Sequence, residues 1–153
     1  MGLNSRAMFN ALTSLAAATG QFDFVTGHEP KGAPSATGLT CAVWLGDIRP
    51  IQSSGQTSVS MRVEFQCRIF TSMLQEPQDG IDPRIMDAVD ALLAAIIGNF
   101  DLDLSDGRYV DVLGSDGDTL RAIPGYLEQD KKLFRIMEVF VPVLVNDVYA
   151  EVA

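Results

Sequence analysis

The side chains that most often perform catalysis or bind metals are few in this sequence. Its single histidine, His28, stands beside Glu29 in a stretch rich in glycine and proline. A zinc site needs three or four converging ligands, and the sequence has neither a second histidine nor a closely spaced pair of cysteines. The members of a Ser-His-Asp triad are distant in sequence, but the G-x-S-x-G context of a serine nucleophile is also missing. We therefore predict a solvated loop histidine, no catalytic residue, no metal ligand and no cofactor.

Clustered carboxylates between positions 101 and 118 are the second candidate for chemistry, because carboxylate oxygens bind calcium. An EF-hand loop requires glycine at its sixth position and glutamate at its twelfth. Counted from Asp101, these positions hold Asp106 and Val112. The calcium interpretation fails, and two turns rich in aspartate and glycine account for the composition. The aspartates are Asp101, Asp103, Asp106, Asp111, Asp116 and Asp118.

Charge and composition restrict the class of protein. With 153 residues, 47% of them apolar and 20% charged, the chain has the composition of one globular domain, which we assign to residues 1–153. The formal net charge of −9 is unfavourable for binding the phosphates of nucleic acid. No apolar run is long enough to span a bilayer, so we expect a chain that is neither membrane-bound nor exported. Cys41 and Cys67 fall on predicted strands, where we expect buried, reduced thiols.

The element with the clearest pattern is the segment Ser58–Ile69, which alternates without interruption between apolar and polar residues. This period of two predicts a long strand with one dry face and one wet face. Twelve residues at about 3.3 Å each give about 40 Å, whereas a 153-residue domain is about 38 Å across. A strand as long as its domain suggests a role in assembly. Its apolar positions, which we expect to pack under the second helix, are Val59, Met61, Val63, Phe65, Cys67 and Ile69.

Two helices are predicted from apolar residues at helical spacing. The first is Asn4–Thr19, with Asn4 or Ser5 as its cap and Gly20 as its stop. The second starts with Asp82 as cap and Pro83 at the first helical position, and ends at Gly98. The apolar face predicted for this second helix comprises Ile85, Val89, Leu92, Leu93, Ile96 and Ile97.

The remaining strands are apolar segments between turn signals, and the last of them is long. We expect a polar connection over Gly46–Gln56, a largely irregular segment over Phe22–Gly38, and an edge or bulge at Pro142. The order of elements predicts an α+β fold, a mostly antiparallel sheet of long strands with two helices packed on one face. The strands predicted in addition to the long one are Leu39–Leu45, Tyr109–Leu113, Leu120–Ile123 and Leu133–Val145.

The arrangement as a whole resembles the tail terminator proteins of long-tailed (siphovirus-type) bacteriophages. The resemblance covers positions 4–145 and is one of pattern, because the family has no invariant catalytic motif. Between positions 114 and 131 the chain departs from it, and an added surface loop is expected there. The segments that carry it are the first helix, the loop from Gly27 to Gly38, GLTCAVWLGDIRPI, SVSMRVEFQCRIF, DPRIMDAVDALLAAI and LFRIMEVFVPVLV.

The resemblance implies a structural virion protein without enzymatic activity. Such proteins form a hexameric ring that caps the tail tube at its head-proximal end, stops tube polymerisation and provides the docking surface for the head. The implied partners are further copies of the chain, the major tail tube protein and a head-completion protein, with assembly in the host cytoplasm. DNA passes through the ring channel without specific binding, and no membrane is involved.

Two groups of residues are candidates for roles in such a ring. The polar face of the long strand carries both signs of charge at Arg62, Glu64 and Arg68, which suits either plain solvation or pairing with a neighbouring subunit. An acidic channel would repel DNA phosphates, so some of the six aspartates between 101 and 118 are candidate channel-lining residues. Two alternatives stay open: another head–tail completion protein, and a small-ligand-binding regulatory domain with a pocket between Trp44 and the second helix.

Overall fold

The structure is a computed structural model that describes residues 2–30, 38–52, 57–74, 78–104 and 107–150. Within these residues, two α-helices pack on one face of a six-stranded, mostly antiparallel sheet, which confirms the predicted α+β class. The elements are α1 (Ser5–Ala18), β1 (Phe24–Thr26), β2 (Thr40–Ile51), β3 (Ser58–Ser72), α2 (Ile81–Gly98), β4 (Arg108–Val110), β5 (Arg121–Gln129) and β6 (Lys132–Ala150).

The sheet is organised around its two longest strands. The order is β1-β2-β3-β6-β4, and β5 pairs with the same edge of β6 as β4 does, but nearer the start of β6. Only β1 pairs in parallel, with β2; the other pairs are antiparallel. The predicted long strand is confirmed and runs three residues further, to Ser72. At about 3.3 Å per residue, β3 is about 50 Å long and β6 about 63 Å.

Helix α1 is confirmed within one residue at each end, but its start differs from the prediction. Met8, Leu12 and Ala16 recur at a spacing of four and are buried, as a core-facing stripe requires. Asn4 adopts a left-handed conformation and its side chain makes no capping hydrogen bond. The buried Arg108 instead donates from Nη1 to the carbonyl oxygen of Leu3 at 2.8 Å, which ties the helix start to β4.

Helix α2 begins one residue before the predicted cap. A 3₁₀ turn at Gln78–Gly80 leads into it, and Gly80 is the N-cap. Asp82 therefore lies in the first turn, where its Oδ1 accepts a hydrogen bond from Arg135 Nε at 2.9 Å. Pro83 is tolerated because first-turn N–H groups have no partner within the helix. Of the predicted apolar face, Leu93 is only partly buried and Ile97 is exposed.

Strand β2 is longer than predicted. The buried part from Thr40 to Val43 confirms a strand covered on both faces, but the expected polar connection after Leu45 is wrong, because pairing with β3 continues to Ile51. A bulge at Gly46 makes this continuation possible. A Cβ at this position would lie 3.2 Å from the carbonyl oxygen of Glu64. Part of the expected connection, residues 53–56, lies outside the described residues.

The segment from Gly114 to Lys131 is not simply an added loop. Its second half is β5, a nine-residue strand that forms a hairpin with β6. Asp130 and Lys131 both have positive φ, as a two-residue hairpin turn requires. Pro124 is compatible with β5 because this strand pairs only with β6 among the described strands, so no second ladder needs its N–H.

Pro142 lies in a central strand, yet its missing N–H disrupts no strand pairing. Its carbonyl oxygen accepts a hydrogen bond from Asp111 N at 2.8 Å, just beyond the end of β4. Because the N–H and C=O of one residue point to the same strand edge, the missing donor faces that side too. The pairing of β5 ends at Phe140 and that of β4 begins at Val143. Pro142 therefore occupies the break between two partner strands.

Candidate subunit interface on the outer face of the sheet

The sheet presents its charged candidate residues on the side that faces away from α1 and α2, here called the outer face. Val63, Phe65 and Cys67 of β3 point toward the helices and belong to the main core. Arg62, Glu64 and Arg68 alternate with them and therefore point outward.

Arg62 is buried in the folded subunit, with only 1% of its surface exposed. Its Nη1 donates to Asp111 Oδ2 at 2.6 Å and its Nη2 donates to the carbonyl oxygen of Asp118. Both partners belong to residues 111–120, here called the covering loop, which folds over this part of the outer face. The prediction that Arg62 is surface-exposed and available to a neighbouring subunit is therefore wrong.

Asp111 is the other half of this internal pair and is 3% exposed. Its carboxylate also accepts hydrogen bonds from the N–H and hydroxyl of Ser115, both at 2.9 Å, and from Asp116 N at 3.2 Å. Burial raises the pKa of Asp111, but the hydrogen bonds from the loop and from Arg62 outweigh that effect, so its pKa lies below the ordinary 3.8. A buried carboxylate cannot present its charge to a channel, so the expectation fails for Asp111.

Arg68 and Glu64 stay at the surface as half-buried side chains. Arg68 Nε donates to Glu138 Oε1 at 2.7 Å across β3 and β6, and the guanidinium lies 5.0 Å from the ring centroid of Trp44. Glu64 lies opposite Asp47 of β2, a like charge. Within the described ranges, no cation lies within ion-pairing distance of Glu64. Its uncompensated carboxylate is the feature of this face best suited to a partner's cation.

The other aspartates fall into two separate groups. Asp116 and Asp118 are exposed on the covering loop, and Asp118 lies 3.6 Å from Arg121. Asp101 and Asp103 are exposed on the helical side, where Asp103 lines a groove of about 550 Å³ beside α1. Asp106 lies outside the described residues. The six aspartates therefore do not form one cluster, and the described ones lie on the two sides of the sheet.

The remaining candidates for chemistry are unremarkable in their surroundings. His28 is exposed. Cys41 and Cys67 are free and buried, as predicted. A hydrogen bond with the Cys41 side chain raises the pKa of the Cys67 thiol, and burial and electrostatic repulsion from Cys41 raise it further.

In the described ranges, no group of three or more His, Cys, Asp or Glu side chains is placed to hold a metal ion. Among the same residues, none of the helices has the length and apolar character that a membrane span requires.

The pocket expected between Trp44 and α2 is absent from the described part of the chain. Trp44 packs on the outer face against a second apolar cluster, formed by Ala42, Phe70, Phe134 and Ile136, whereas α2 covers the opposite face. Trp44 also borders a hollow of about 310 Å³, but the helix that lines this hollow is α1. The predicted pocket, on which the ligand-binding alternative depended, is therefore not formed by the described residues.

Sequence reasoning missed the arginine–aromatic contacts that organise the outer face. Arg121 lies 4.2 Å from the ring centroid of Phe140, in addition to the contact of Arg68 with Trp44. Each arginine and its aromatic partner lie on different strands, and they meet on one face only because those strands pair in the observed register. A single strand does not reveal that register, which depends on pairing with β2, β5 and β6.

Comparison with protein-family models gave no match, and comparison with curated proteins gave none either. Solved structures are informative. The chain is similar to a chain of a native gene transfer agent virion, with a TM-score of 0.54 and 20% identity over 94% of this chain and 98% of the other. It is also similar to the sheath/tube terminator of an extracellular contractile injection system, PVC, in the extended state. That likeness has a TM-score of 0.51 and 14% identity and covers 96% of this chain.

The chain has a tail-terminator-like fold. It spans 58% of the length of the contractile-system terminator and nearly all of the gene transfer agent chain. At these identities the likeness establishes a shared fold alone.

Proposed function

We propose that this protein is a tail terminator. In this proposal a single domain assembles as a hexameric ring at the head-proximal end of a phage-like tail, stops polymerisation of the tube and provides the surface on which the head docks. Its partners are other copies of itself, the major tail tube protein and a head-completion protein, and its place is the virion. The protein has no catalytic role, and DNA traverses the ring without specific binding.

The observation that carries this proposal is the structural likeness over nearly the whole chain. A chain of a gene transfer agent virion matches 94% of this chain, and a protein named as a sheath/tube terminator has the same fold. A shared fold alone does not determine function. Additional support comes from the Glu64 carboxylate, which no cation compensates among the described residues. The lengths of β3 and β6, which exceed those of the helices that cover them, support it as well.

The interface proposal now concerns Glu64 and Arg68, with Arg62 as an internal support. Arg62 holds the covering loop against β3, so it acts on the outer face through the position of that loop. For the channel we propose the exposed carboxylates of one side, either Asp116 and Asp118 or Asp101 and Asp103. With a net charge of −9, a ring of six such chains repels DNA phosphates wherever these carboxylates face its axis.

The test is the mass and symmetry of the purified protein, alone and mixed with the tube protein of the same virus. We expect light scattering after size-exclusion chromatography to give six times the 16.5-kDa chain mass, and negative-stain images to show sixfold rings. Added during tube polymerisation, the protein should shorten the tubes and cap one end. A monomer that neither assembles nor binds tube ends would contradict the proposal. Rings that bind an isolated head but not a tube would indicate a head-completion protein.

A further inference from the structure

Helix α2 carries a second apolar stripe that the folded chain leaves uncovered. Met86, Leu93 and Ile97 are separated by seven and four residues, which places them on one side of the helix at 100° per residue, and Phe100 follows two residues after the helix ends at Gly98. Met86 is 57% exposed and Phe100 is 54% exposed, Ile97 is also exposed, and Leu93 is half-buried. Single exposed apolar residues need no explanation, but three in line on a helix, followed by an exposed phenylalanine, form a patch of the kind that marks interaction sites. These four residues are here called the α2 stripe.

A different apolar surface lies where the sheet extends beyond its helices. Leu45 and Ile48 of β2 pair with the core residues Phe65 and Val63, so they point to the helical side. Both are nevertheless exposed, and Leu45 is 46% exposed. Met61 of β3 lies on the same side and is half-buried. Leu45, Ile48 and Met61, together with the hollow of about 310 Å³ next to Leu45, are here called the arm patch.

The charges beside these two surfaces are complementary. Asp87 and Asp90 are exposed beside the α2 stripe. Arg6 of α1 is exposed and lines the hollow of the arm patch. Among the described residues none of these three has an ion-pair partner. Contact between two α2 stripes would join two surfaces that both carry Asp87 and Asp90, which is unfavourable. Contact between a stripe and an arm patch brings opposite charges together.

Two different complementary surfaces on one chain generate a head-to-tail contact between copies, which closes into a ring if the rotation allows it. We propose that the α2 stripe of one copy packs on the arm patch of the next, with Asp87 and Asp90 facing Arg6. The occupant of both surfaces is a second copy of this chain. This inference rests on the proposed ring and adds to it the surfaces that form each subunit contact.

Cross-linking tests the head-to-tail geometry directly. A chain carrying both Ile48→Cys and Ile97→Cys, treated with a short bis-maleimide, should give a ladder of covalent oligomers that ends at six. Each single variant should give no ladder, because a head-to-tail contact brings one cysteine of each kind together. Dimers from Ile97→Cys alone would indicate contact between two α2 stripes and overturn the inference. Cys41 and Cys67 are buried and do not interfere.

Assembly of surface variants separates this inference from the proposed function. Met86→Ser with Ile97→Ser should raise the concentration for half-assembly at least about tenfold, which corresponds to about 1.4 kcal/mol. Leu133→Ser, at an exposed site on β6, is the matched control and should assemble normally. Asp90→Arg should weaken assembly, and Arg6→Asp in the same chain should restore it in part. Normal rings from the stripe variant, with wild-type melting, would overturn the inference and leave the ring proposal intact. A wild type that neither assembles nor binds tube ends would overturn both.

Discussion

At the residue scale, the buried pair of Arg62 and Asp111 dominates the outer face. Removing two charges from water costs several kcal/mol, and the pair recovers this only through close geometry and further hydrogen bonds. Here the 2.6 Å contact between Arg62 Nη1 and Asp111 Oδ2 and the hydrogen bonds from Ser115 supply part of that compensation. Arg62 Nε has no hydrogen-bond partner among the described residues, so the compensation is incomplete. A pair of this kind is sensitive to loss of either member.

We expect Arg62→Met to lower the free energy of unfolding by about 3–5 kcal/mol, because it leaves the Asp111 carboxylate buried without its cation. Urea unfolding followed by circular dichroism measures the change. The matched control is Arg49→Met, which removes a pair between exposed side chains 3.4 Å apart and should cost less than about 1 kcal/mol. Equal losses in the two variants would show that the buried pair has no special role.

The lowered pKa of Asp111 makes part of the stability dependent on pH. A carboxyl whose pKa falls on folding contributes stability that is fully present above its unfolded value, near 3.8, and is lost as the pH falls through the lower folded value. We expect urea midpoints of the wild type to fall more steeply below about pH 4 than those of Asp111→Asn. Parallel curves for the two proteins between pH 5 and pH 2 would contradict this assignment.

Cys41 and Cys67 should be unreactive while the chain is folded. Both are buried, and the raised pKa of Cys67 disfavours the thiolate that attacks reagents. Ellman's reagent should label about two thiols per chain in guanidinium chloride and almost none in buffer. Ser14→Cys, at an exposed position of α1, provides a positive control that should be labelled at once. Rapid labelling of the native wild type would contradict the packing around these residues.

At the element scale, the covering loop depends on glycines that allow close approach to two arginines. A Cβ on Gly117 would lie 2.9 Å from Arg49 Nη2 and 2.9 Å from Arg62 Cζ, and the φ of this residue is +154°. Arg49 is exposed and can move, whereas Arg62 is fixed by its buried partner. The loop and the strand beneath it therefore form one unit.

We expect Gly117→Ala to destabilise the protein by about 1–3 kcal/mol, as overpacking does. Thermal unfolding and the near-ultraviolet signal measure the effect. Gly98→Ala, at the end of α2, is the control, because a Cβ there has no neighbour within 4 Å; it should be neutral or slightly stabilising. A wild-type melting temperature for Gly117→Ala would mean that the loop shifts freely away from Arg62.

The elements that sequence alone predicted well are those with an uninterrupted period. β3 and α1 follow from alternation and from helical spacing, because one face of each is buried along most of its length. The part of β5 after Ile123 and the second half of β2 were missed because Pro124 and Gly46 are normally signals that end a strand. Both strands tolerate these residues for tertiary reasons: an edge position for β5 and a bulge for β2. The burial of Arg62 was missed because its partner lies 49 positions away.

At the scale of the whole molecule, Glu64 is the residue whose environment is incomplete in a single chain. It is half-buried and faces Asp47, and no cation of the described residues compensates its charge. Arg68 differs, since Glu138 already neutralises it. A neighbouring subunit that supplies a cation at this site would make Glu64 a contributor to assembly.

We expect Glu64→Gln to leave the free energy of unfolding within about 0.5 kcal/mol of the wild type, as for an unpaired surface position. The same variant should weaken assembly and reduce its dependence on salt, because it removes a charge proposed to face a partner. Sedimentation velocity at two ionic strengths measures both effects. Unchanged assembly would mean that the outer face at Glu64 meets only solvent.

The position of β6 in both the sheet and the chain has a consequence for folding during synthesis. β3 pairs with β6 over most of its length, and its residues lie more than sixty positions before those that they meet. Until residues 132–150 leave the ribosome, one edge of β3 has no partner and its apolar side chains remain accessible. Such late, non-local pairing slows folding and exposes a strand edge to other nascent chains. The nascent chain therefore passes through a stage at which premature association competes with completion of its own sheet.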